Sequence, residues 1–238
     1  MNQPAHSRRL RLLRTEPHSC SYLDNRIAVT EFVAPDEEVD SDTYQGINEL
    51  AFRRSGIHYY RPSCPDCQQC QPLRVEVDKF TPSRNQRRCL RKNLDLNWSI
   101  HETADLGRYY PLYENYIGSR HQDGDMYPAS GDQFENFIAR GCSNTRYIEF
   151  NSTELEMVAV CDLLPEGLSA IYSFFATDQP ERSLGTLAIL VQIQIARQLG
   201  LPWVYLGYWI SDSQKMAYKT RFKPNQVLVE GRWTAPES

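Results

Sequence analysis

Ser183–Leu199, with the sequence SLGTLAILVQIQIARQL, decides the fold because it is apolar on nearly every side. A helix that is apolar all round has to be buried, and this segment is long enough for several turns. Gly200 follows directly and predicts the C-terminus of the helix. We therefore expect one buried helix that other elements cover over most of its surface.

The segments on both sides of this helix are typical of β-strands. The predicted strands are Arg146–Phe150, Glu156–Leu164, Ala170–Thr177, Trp203–Tyr208 and Val227–Gly231, and a short helix is predicted at Lys215–Lys219. The first three strands are separated by turn residues and predict an antiparallel meander. Strands with a buried helix between them predict an α/β fold, a mixed sheet with flanking helices.

Three cysteines stand at two successive C-x-x-C spacings in a Pro-rich loop. Cys64, Cys67 and Cys70 are typical of zinc or iron–sulfur ligation, since a short loop can turn several sulfurs toward one metal. Cys20 is the first candidate for a fourth ligand, and His58 is the second. The alternative is a reduced thiol cluster that binds no metal, because the strong zinc pattern consists of two separated C-x-x-C pairs.

The positive charge of this acidic chain is concentrated in one region. The formal net charge is −4, yet residues 53–92 hold ten Lys or Arg against three acids. Ser83 predicts a helix N-cap, and the cations after it recur at spacings of three and four residues, so they share one helical face. This basic face consists of Arg84, Arg87, Arg88, Arg91 and Lys92. We interpret it as a contact for a phosphate backbone, with a solvated basic face as the alternative.

Length and composition narrow the class of protein. The chain has 238 residues and seven Cys, and no apolar run is long enough to span a bilayer. Its start, MNQPAHSRRLRLLR, lacks the apolar core of a secretory signal. It is typical of a transit peptide or of a basic arm that contacts a polyanion. Seven cysteines without a secretory signal predict a reducing cytoplasm and argue against a disulfide framework.

Several longer motifs carry a family resemblance. Those in the N-terminal half are FRRSG (52–56), YRP (60–62), C-x-x-C-x-x-C-x-P-x-R-V (64–75) and SRNQRRCLRKN (83–93). Those in the C-terminal half are RSLGTLAILVQIQIA (182–196), YLGYWI (205–210) and KMAYKTRFKP (215–224). Together they resemble the aminoacyl-tRNA–protein transferases over nearly the whole chain. The resemblance is strongest to the compact bacterial form of that family, which transfers leucine.

The resemblance implies a fold, a reaction and partners. The C-terminal half of the family has an acetyltransferase-like (GNAT) fold. We therefore expect a Cys-containing N-terminal transferase region at residues 1–95 and a GNAT-like domain at residues 96–238. The bacterial form moves leucine from leucyl-tRNA to the α-amino group of proteins that begin with Asp or Glu, which marks them for degradation. The implied partners are leucyl-tRNA and such proteins in the cytoplasm, without a membrane and without an organic cofactor.

The resemblance also bears on the cysteines. Eukaryotic relatives carry a C-x-x-C near the N-terminus and a later adjacent Cys pair, both tied to a metal or an iron–sulfur site. Cys20 stands at the first of these positions here, but Leu23 replaces its partner. Any metal would then have to draw its remaining ligands from Cys64, Cys67 and Cys70.

The reaction that the resemblance implies requires only a weak general base. An α-amino group has a pKa of about 7.7–8.0 and attacks an activated ester, so positioning and oxyanion stabilisation can supply most of the catalysis. Asp162 is the first candidate base, because desolvation in its apolar strand, MVAVCDLL, favours proton uptake. Its alternative is a buried carboxylate satisfied by backbone donors or by an Arg. His121 is the second candidate, against the alternative of a surface-loop histidine.

Recognition of the two substrates needs different groups. A planar Arg fork suits the carboxylate of the acceptor, and Arg61, Arg74 and Arg120 are the candidates. Asp123 or Asp125 is expected to hold the ammonium group of the acceptor. The apolar pocket for leucine is predicted from Tyr172, Phe174, Phe175, Tyr208 and Trp209. Contacts to the acceptor stem of the tRNA are predicted from Lys215, Lys219 and Arg221.

Other functions remain open at this point. The nearest is arginyl transfer from arginyl-tRNA. An acetyltransferase that uses acetyl-CoA would need a Gly-rich pyrophosphate loop before the buried helix, and Glu181–Gly185 has one Gly there. A non-catalytic tRNA- or RNA-binding protein with a zinc knuckle is the third alternative.

Overall fold

The computed structural model describes residues 9–122, 124 and 126–236. Its strands are β1 (Leu12–Arg14), β2 (His18–Ser19), β3 (Ile27–Ala28), β4 (Thr30–Val33), β5 (Arg53–Ser55), β6 (His58–Pro62), β7 (Gln71–Glu76), β8 (Asn97–His101), β9 (Thr145–Asn151), β10 (Leu155–Leu164), β11 (Gly167–Phe175), β12 (Trp203–Trp209), β13 (Asn225–Val229) and β14 (Arg232–Thr234). Its α-helices are α1 (Ser41–Glu49), α2 (Arg84–Lys92), α3 (Leu106–Arg120), α4 (Gly131–Phe134) and α5 (Leu184–Gln198). A π-helical turn, Glu135–Ala139, continues α4, and 3₁₀ turns lie at Pro180–Arg182, Gln214–Met216 and Lys219–Arg221.

A large mixed sheet forms the centre of the fold. Its strand order is β14-β13-β7-β12-β11-β10-β9-β8. The predicted meander is confirmed as the antiparallel strands β9, β10 and β11, and α5 then connects β11 to the parallel strand β12. The α/β class is therefore confirmed, while the predicted short helix at 215–219 is replaced by two separate 3₁₀ turns.

The main sheet contains strands from both sides of the predicted domain boundary at residue 95. Strand β7 lies between β12 and β13 and pairs antiparallel with both. Leu73 and Val75 of β7 are fully buried in the same apolar core as α5, and Cys89 of α2 joins them. The division into residues 1–95 and 96–238 stays a prediction about the two halves, which share one sheet and one core.

The opposite face of the main sheet is covered by α3, by α4 and by a small N-terminal sheet. Tyr109, Tyr113 and Ile117 of α3 are fully buried against Phe134 and Phe174. The small sheet has the order β1-β4-β6-β5. With α1 it forms a third apolar cluster, which includes Tyr44 of α1, Tyr59 of β6 and Tyr205 of β12. This arrangement brings β5, β6 and α1 against the middle of the main sheet.

Strands β11 and β12 pair only at their N-terminal ends. Gly167, Leu168 and Ser169 pair with residues 203–205, and both strands continue beyond this point without further pairing to each other. An irregularity in β12 between Tyr205 and Tyr208 shifts its register with β7, and Gly207 adopts a left-handed φ of +74° there. The two parallel strands therefore separate toward their C-terminal ends.

The buried helix α5 is the most apolar helix of the fold, and ten of its residues are buried. Its surroundings are the strands and helices of the main core, including Leu168, Val204 and Leu206. In the part of the chain that the structure describes, no helix has the length and apolar character needed to cross a membrane.

Candidate active-site cleft

A cleft of about 1090 Å³ opens where β11 and β12 separate. Leu184, Ile189 and Gln192 of α5 line it on one side of the main sheet. Tyr22, Arg53 and Tyr60 of the N-terminal part line it on the other side. The cleft is thus lined both by residues of α5 and by residues of the N-terminal part.

Several predicted site residues meet in this cleft. Arg120, His121, Tyr172, Phe175, Tyr208 and Lys219 all line it. The exposed guanidinium of Arg120 lies 5.9 Å from the ring centre of Phe175, and it forms no ion pair with any carboxylate among the described residues. The His121 ring centre lies 5.3 Å from that of Tyr116. Arg120 and His121 thus lie on the α3 side of the cleft entrance.

The aromatic side chains predicted for the leucine pocket divide between the cleft and the core. Tyr172 and Phe175 line the cleft. Phe174 is fully buried in the cluster beneath α3, and Trp209 packs against the main core, so neither lines the cleft. Strand alternation separates Tyr208 from Trp209, whose side chains point to opposite faces. Phe174 lies on the same face as Tyr172 but is enclosed beneath α3, beside Tyr113. The prediction was wrong in grouping Phe174 and Trp209 with the cleft aromatics.

Tyr208 lines the cleft, and its hydroxyl is also hydrogen-bonded to the N-terminal part of the chain. Its hydroxyl donates to the carbonyl oxygens of Ala51 at 2.7 Å and Tyr60 at 3.3 Å. These bonds fix the ring against the N-terminal part. Tyr208 therefore forms a rigid wall of the cleft.

Asp162, the first candidate base, lies in the core and not in the cleft. It is fully buried, and Arg54 donates to both of its carboxylate oxygens, from Nε at 2.6 Å and from Nη2 at 2.7 Å. Tyr44 donates to Oδ2 at 2.9 Å and Thr145 to Oδ1 at 2.7 Å. This geometry matches the alternative of a buried carboxylate satisfied by an Arg, and it leaves no lone pair directed at a substrate.

Arg61 and Arg74, two candidates for the acceptor carboxylate, are occupied by internal partners. Arg61 Nε donates to Glu31 at 2.8 Å, and its guanidinium lies 4.7 Å from the Phe52 ring centre. Arg74 donates to Gln226 at 2.8 and 3.0 Å and forms an ion pair with Glu49. Its guanidinium is stacked between two indole rings, at 3.6 Å from Trp203 and 4.1 Å from Trp233. Neither side chain lines the cleft, so the structure contradicts both assignments.

Lys219 lies in the cleft and not on an outer tRNA-binding surface. Its ammonium donates to the Tyr208 carbonyl oxygen at 2.6 Å. Burial and the nearby charge of Arg53 lower the pKa of Lys219 to about 8. The predicted contact with the acceptor stem is therefore corrected to a position inside the cleft. Arg221 is exposed beside it, and the structure does not describe the side chain of Lys215.

Two residues that the sequence reasoning did not single out line the same cleft. Arg53 is 4% exposed, and its Nε and Nη2 have no hydrogen-bond partner among the described residues. Gln192, on α5, is 2% exposed, and its Oε1 is likewise unpartnered there. The sequence signal for Arg53 is its place in FRRSG (52–56), one of the motifs that carry the family resemblance. Asp123 and Asp125, the candidates for the acceptor ammonium, lie outside the described residues.

The basic face is confirmed as one surface of α2. Ser83 and Gln86 form a reciprocal capping box at its start, and the buried Cys89 turns the other side of the helix toward the core. Arg84, Arg88 and Arg91 line a shallow concavity on the exposed side. Among the ion pairs of the described residues, none involves a cation of this face. The face is therefore free to meet an anionic partner.

The four candidate metal ligands lie near one another as free thiols. Cys20, Cys64, Cys67 and Cys70 are each partly buried and unbonded to another cysteine. Burial and the nearness of the other three thiols raise the pKa of Cys70 to about 12. Within the described ranges, no group of three or more His, Cys, Asp or Glu side chains is placed to hold a metal ion. The predicted metal site finds no support in this geometry.

Comparison with known proteins identifies related sequences for most of the chain. Residues 18–88 match the family described as "Arginine-tRNA-protein transferase, N terminus", and residues 108–229 match "Arginine-tRNA-protein transferase, C terminus". The chain is 47% identical to the aspartate/glutamate leucyltransferase of Saccharophagus degradans, over 94% of this chain and 96% of that protein. It is 49% identical to the enzyme of the same name from Marinobacter nauticus, over 95% of this chain and 96% of that protein.

Solved structures share the fold at much lower sequence identity. The crystal structure of FemX superposes with a TM-score of 0.51 at 13% identity, over 84% of this chain and 69% of that one. The C-terminal domain of a putative lysylphosphatidylglycerol synthetase from Agrobacterium fabrum gives a TM-score of 0.50 at 13% identity, over 70% of this chain and 58% of that one. At this identity the likeness concerns the fold alone.

Proposed function

Because this chain belongs to the arginine-tRNA-protein transferase family and is an aminoacyltransferase, we propose that it transfers leucine from leucyl-tRNA to proteins that begin with Asp or Glu. Both relatives described above carry the name aspartate/glutamate leucyltransferase. In this proposal the amide bond forms at the α-amino group of the acceptor, and the tRNA leaves with a free terminal hydroxyl. The new N-terminal leucine marks the acceptor for degradation.

The observation that carries the proposal is the cleft through the main sheet. A transferase that joins two large molecules has to bring their reactive ends together while the rest of each stays outside. The cleft at the separation of β11 and β12 is lined by residues of α5 and by Arg53 and Tyr60 of the N-terminal part. The aminoacyl end of the tRNA and the N-terminus of the acceptor can therefore meet in this cleft. Holding both ends in one place supplies much of the rate enhancement in such a reaction.

The same geometry supports the finer fold assignment. A helix that links two parallel strands, with the strands separating at their C-terminal ends, is the feature on which we base an acetyltransferase-like (GNAT) assignment. The acetyl-CoA alternative is weaker, because the turn before α5 (residues 180–183) contains no Gly, and Arg182 in it is engaged by Asn93 and Asp95 and is not free for a pyrophosphate.

The basic face of α2 is the proposed contact for the tRNA backbone. Phosphates are bound by Lys and Arg without sequence information, and a group of unpaired cations on one helical face supplies such a contact. α2 packs on α5, which lines the cleft, so the phosphate contact and the reactive end of the tRNA are held by adjacent helices. Leucyl-tRNA is thus the proposed co-substrate, and the cytoplasm is the proposed location because charged tRNA is available there.

His121 remains the proposed base, and the environment of Asp162 argues against its participation. His121 lines the cleft, whereas Asp162 is enclosed with Arg54, Tyr44 and Thr145. A base at this position only has to accept the proton that the acceptor ammonium or the attacking amine releases. Asp123 and Asp125 stay proposals for the acceptor ammonium.

Transfer of labelled amino acids tests the proposed function. Leucyl-tRNA and arginyl-tRNA are each incubated with the protein and with peptides that differ only in an N-terminal Asp, Glu, Lys or Ala. We expect leucine, and not arginine, on the peptides that begin with Asp and Glu. Arginine transfer, or equal transfer to the Ala peptide, would refute the proposal. Binding of tRNA without any transfer would instead favour a non-catalytic RNA-binding protein.

A further inference from the structure

We infer that Arg53 and Lys219 form the subsite that binds the side-chain carboxylate of the acceptor and so determine the preference for Asp and Glu. This inference rests on the proposed function and assigns a specificity that the proposed function leaves without a residue. The sequence suggested three arginines for this carboxylate. Two of them, Arg61 and Arg74, are bound to internal partners and are therefore not available to it.

One edge of the Arg53 guanidinium is fixed and the other is free. Nη1 donates to the Asn48 carbonyl oxygen at 2.9 Å, to Asn48 Oδ1 at 2.8 Å and to the Phe52 carbonyl oxygen at 2.6 Å. Nε and Nη2 are buried without a partner among the described residues. These two nitrogens form the edge of a guanidinium that binds a carboxylate with two parallel hydrogen bonds.

The neighbouring Arg54 shows what this edge does when a carboxylate is present. Its Nε and Nη2 donate to the two oxygens of Asp162 at 2.6 and 2.7 Å. Arg53 and Arg54 are adjacent in β5, so their side chains leave the strand in opposite directions. Both arginines line the cleft, but Arg54 meets an internal carboxylate, whereas the same edge of Arg53 has no internal carboxylate among the described residues.

Lys219 adds a second cation at the same place. It lines the cleft with Arg53, and its ammonium is held by the Tyr208 carbonyl oxygen, which leaves further N–H groups for a ligand. Neither Arg53 nor Lys219 forms an ion pair with a carboxylate of the described residues. The charge of Arg53 contributes, after burial, to the lowered pKa of Lys219, so the two cations are close enough to repel. Two neighbouring cations, one buried and one partly buried, are costly without an anion, and a bound carboxylate removes that cost.

A phosphate group offers the same chemistry as a carboxylate, so the tRNA is the competing source of the anion. The carboxylate of the acceptor is favoured for two reasons. The guanidinium of Arg53 lies over Tyr205, in the apolar cluster of α1 and the small N-terminal sheet and not beside α2, while the unpaired basic face of α2 is available for phosphates. In addition, the free donors are buried, and a single small carboxylate suits such a site better than a hydrated polymer backbone.

The test compares acceptors that differ only in charge. Leucyl transfer is measured with peptides that begin with Asp and with Asn, and the ratio of their kcat/KM values is determined for the wild type and for Arg53→Gln, Lys219→Gln and Lys219→Arg. The KM for leucyl-tRNA is measured for each protein. Arg74→Lys, which changes an arginine outside the cleft, serves as the matched control.

We expect the Asp/Asn ratio to fall about tenfold or more in Arg53→Gln and Lys219→Gln, because each variant removes a hydrogen bond to a charged group. Lys219→Arg should retain most of the ratio, and Arg74→Lys should retain all of it. The KM for leucyl-tRNA should change less than about twofold, since phosphates are bound elsewhere.

Three outcomes separate the possibilities. An Asp/Asn ratio at the wild-type value in both Gln variants overturns this inference while leaving the proposed function intact. A raised KM for leucyl-tRNA with an unchanged ratio assigns the cations to a phosphate of the tRNA and also overturns it. Absence of any leucyl transfer by the wild type instead refutes the proposed function. If Arg53→Gln fails to fold, Lys219→Gln decides the question by itself.

Discussion

Arg54 binds Asp162 through two parallel hydrogen bonds in the core, at 2.6 and 2.7 Å, and both side chains are almost inaccessible to solvent. The pair joins β5 of the small N-terminal sheet to β10 of the main sheet. Burial opposes the charge of Arg54, but the hydrogen bonds and the charge of Asp162 raise its pKa above the usual value. The pair thereby sets the position of β5 and, through it, of Arg53 at the cleft.

The first prediction concerns this pair. Asp162→Asn leaves the buried guanidinium of Arg54 without its counter-charge, which costs about 3–5 kcal/mol of unfolding free energy. Urea unfolding of the purified variant measures this loss. Asp36→Asn, which removes an exposed partner of Arg11, is the control and should change stability little. A variant with wild-type stability and no transfer activity would return Asp162 to the role of a base.

The second prediction concerns the basic face of α2. Arg88→Ala combined with Arg91→Ala removes two exposed cations that form no ion pair with a described residue. Affinity for leucyl-tRNA should fall, and the slope of log affinity against log salt should flatten by about 0.7–0.9 for each phosphate that the variant no longer neutralises. Binding titrations at several salt concentrations measure both quantities.

The control for this experiment is Lys79→Ala, an exposed cation outside α2 that pairs with Glu76. Acceptor peptide binding should stay at the wild-type level in all variants. An unchanged salt slope in the double variant would leave the face of α2 as a solvated surface. The tRNA contact would then have to be sought around Arg221 or in the N-terminal arm.

The third prediction is a pH dependence of acceptor selection. Lys219 loses its charge as pH rises through its lowered pKa of about 8. The Asp/Asn ratio of kcat/KM should therefore decline above pH 8 in the wild type and stay level in Lys219→Arg, which remains charged. Any difference between the α-amino groups of the two peptides is the same for the wild type and for Lys219→Arg, so comparing the two proteins isolates the contribution of Lys219. A level wild-type ratio between pH 7 and 9.5 would contradict the assignment of Lys219.

The lowered pKa of Lys219 also makes the unfolding free energy of the protein depend on pH. An unfolded chain keeps the Lys219 proton up to a pKa of about 10.4, whereas the folded protein releases it near pH 8. Between these values the unfolded state binds more protons, so the contribution of Lys219 to stability rises with pH in that window. Urea unfolding between pH 8 and 10 should show this rise in the wild type and lose it in Lys219→Met.

The fourth prediction concerns the thiols. Because burial and the three neighbouring thiols raise the pKa of Cys70 to about 12, iodoacetamide at pH 8 should modify Cys70 slowly. Mass spectrometry of the alkylated protein, with and without a chelator, measures the modification. Equal protection in both samples supports the thiol cluster. Reaction of Cys70 only after chelation, together with about one zinc or cluster iron in the purified protein, would establish the metal site instead.

Local sequence was sufficient for the main elements of the C-terminal half and for the basic helix, but not for the short helix predicted at 215–219. The strands 145–151, 155–164 and 203–209 and the helix 184–198 agree with their predictions to within about two residues. The capped basic helix at 84–92 is confirmed with its capping box. These features depend on periodicity, turn residues and caps, which involve neighbours along the chain.

Only the tertiary structure decided which charged residues serve the cleft. Arg53 and Arg54 are adjacent and chemically identical, yet one is bound to Asp162, 108 residues away, and the other reaches the cleft with a free edge. Arg74 has the expected guanidinium but is enclosed between Trp203 and Trp233. Lys219, which a local reading places on a basic outer surface, is held at the cleft by the Tyr208 carbonyl oxygen. The chain alone determines which groups are present and on which face of an element they lie, whereas long-range packing determines which of them already have a partner. For a charged group in a protein, the partner decides whether it stabilises the fold or remains available to a substrate.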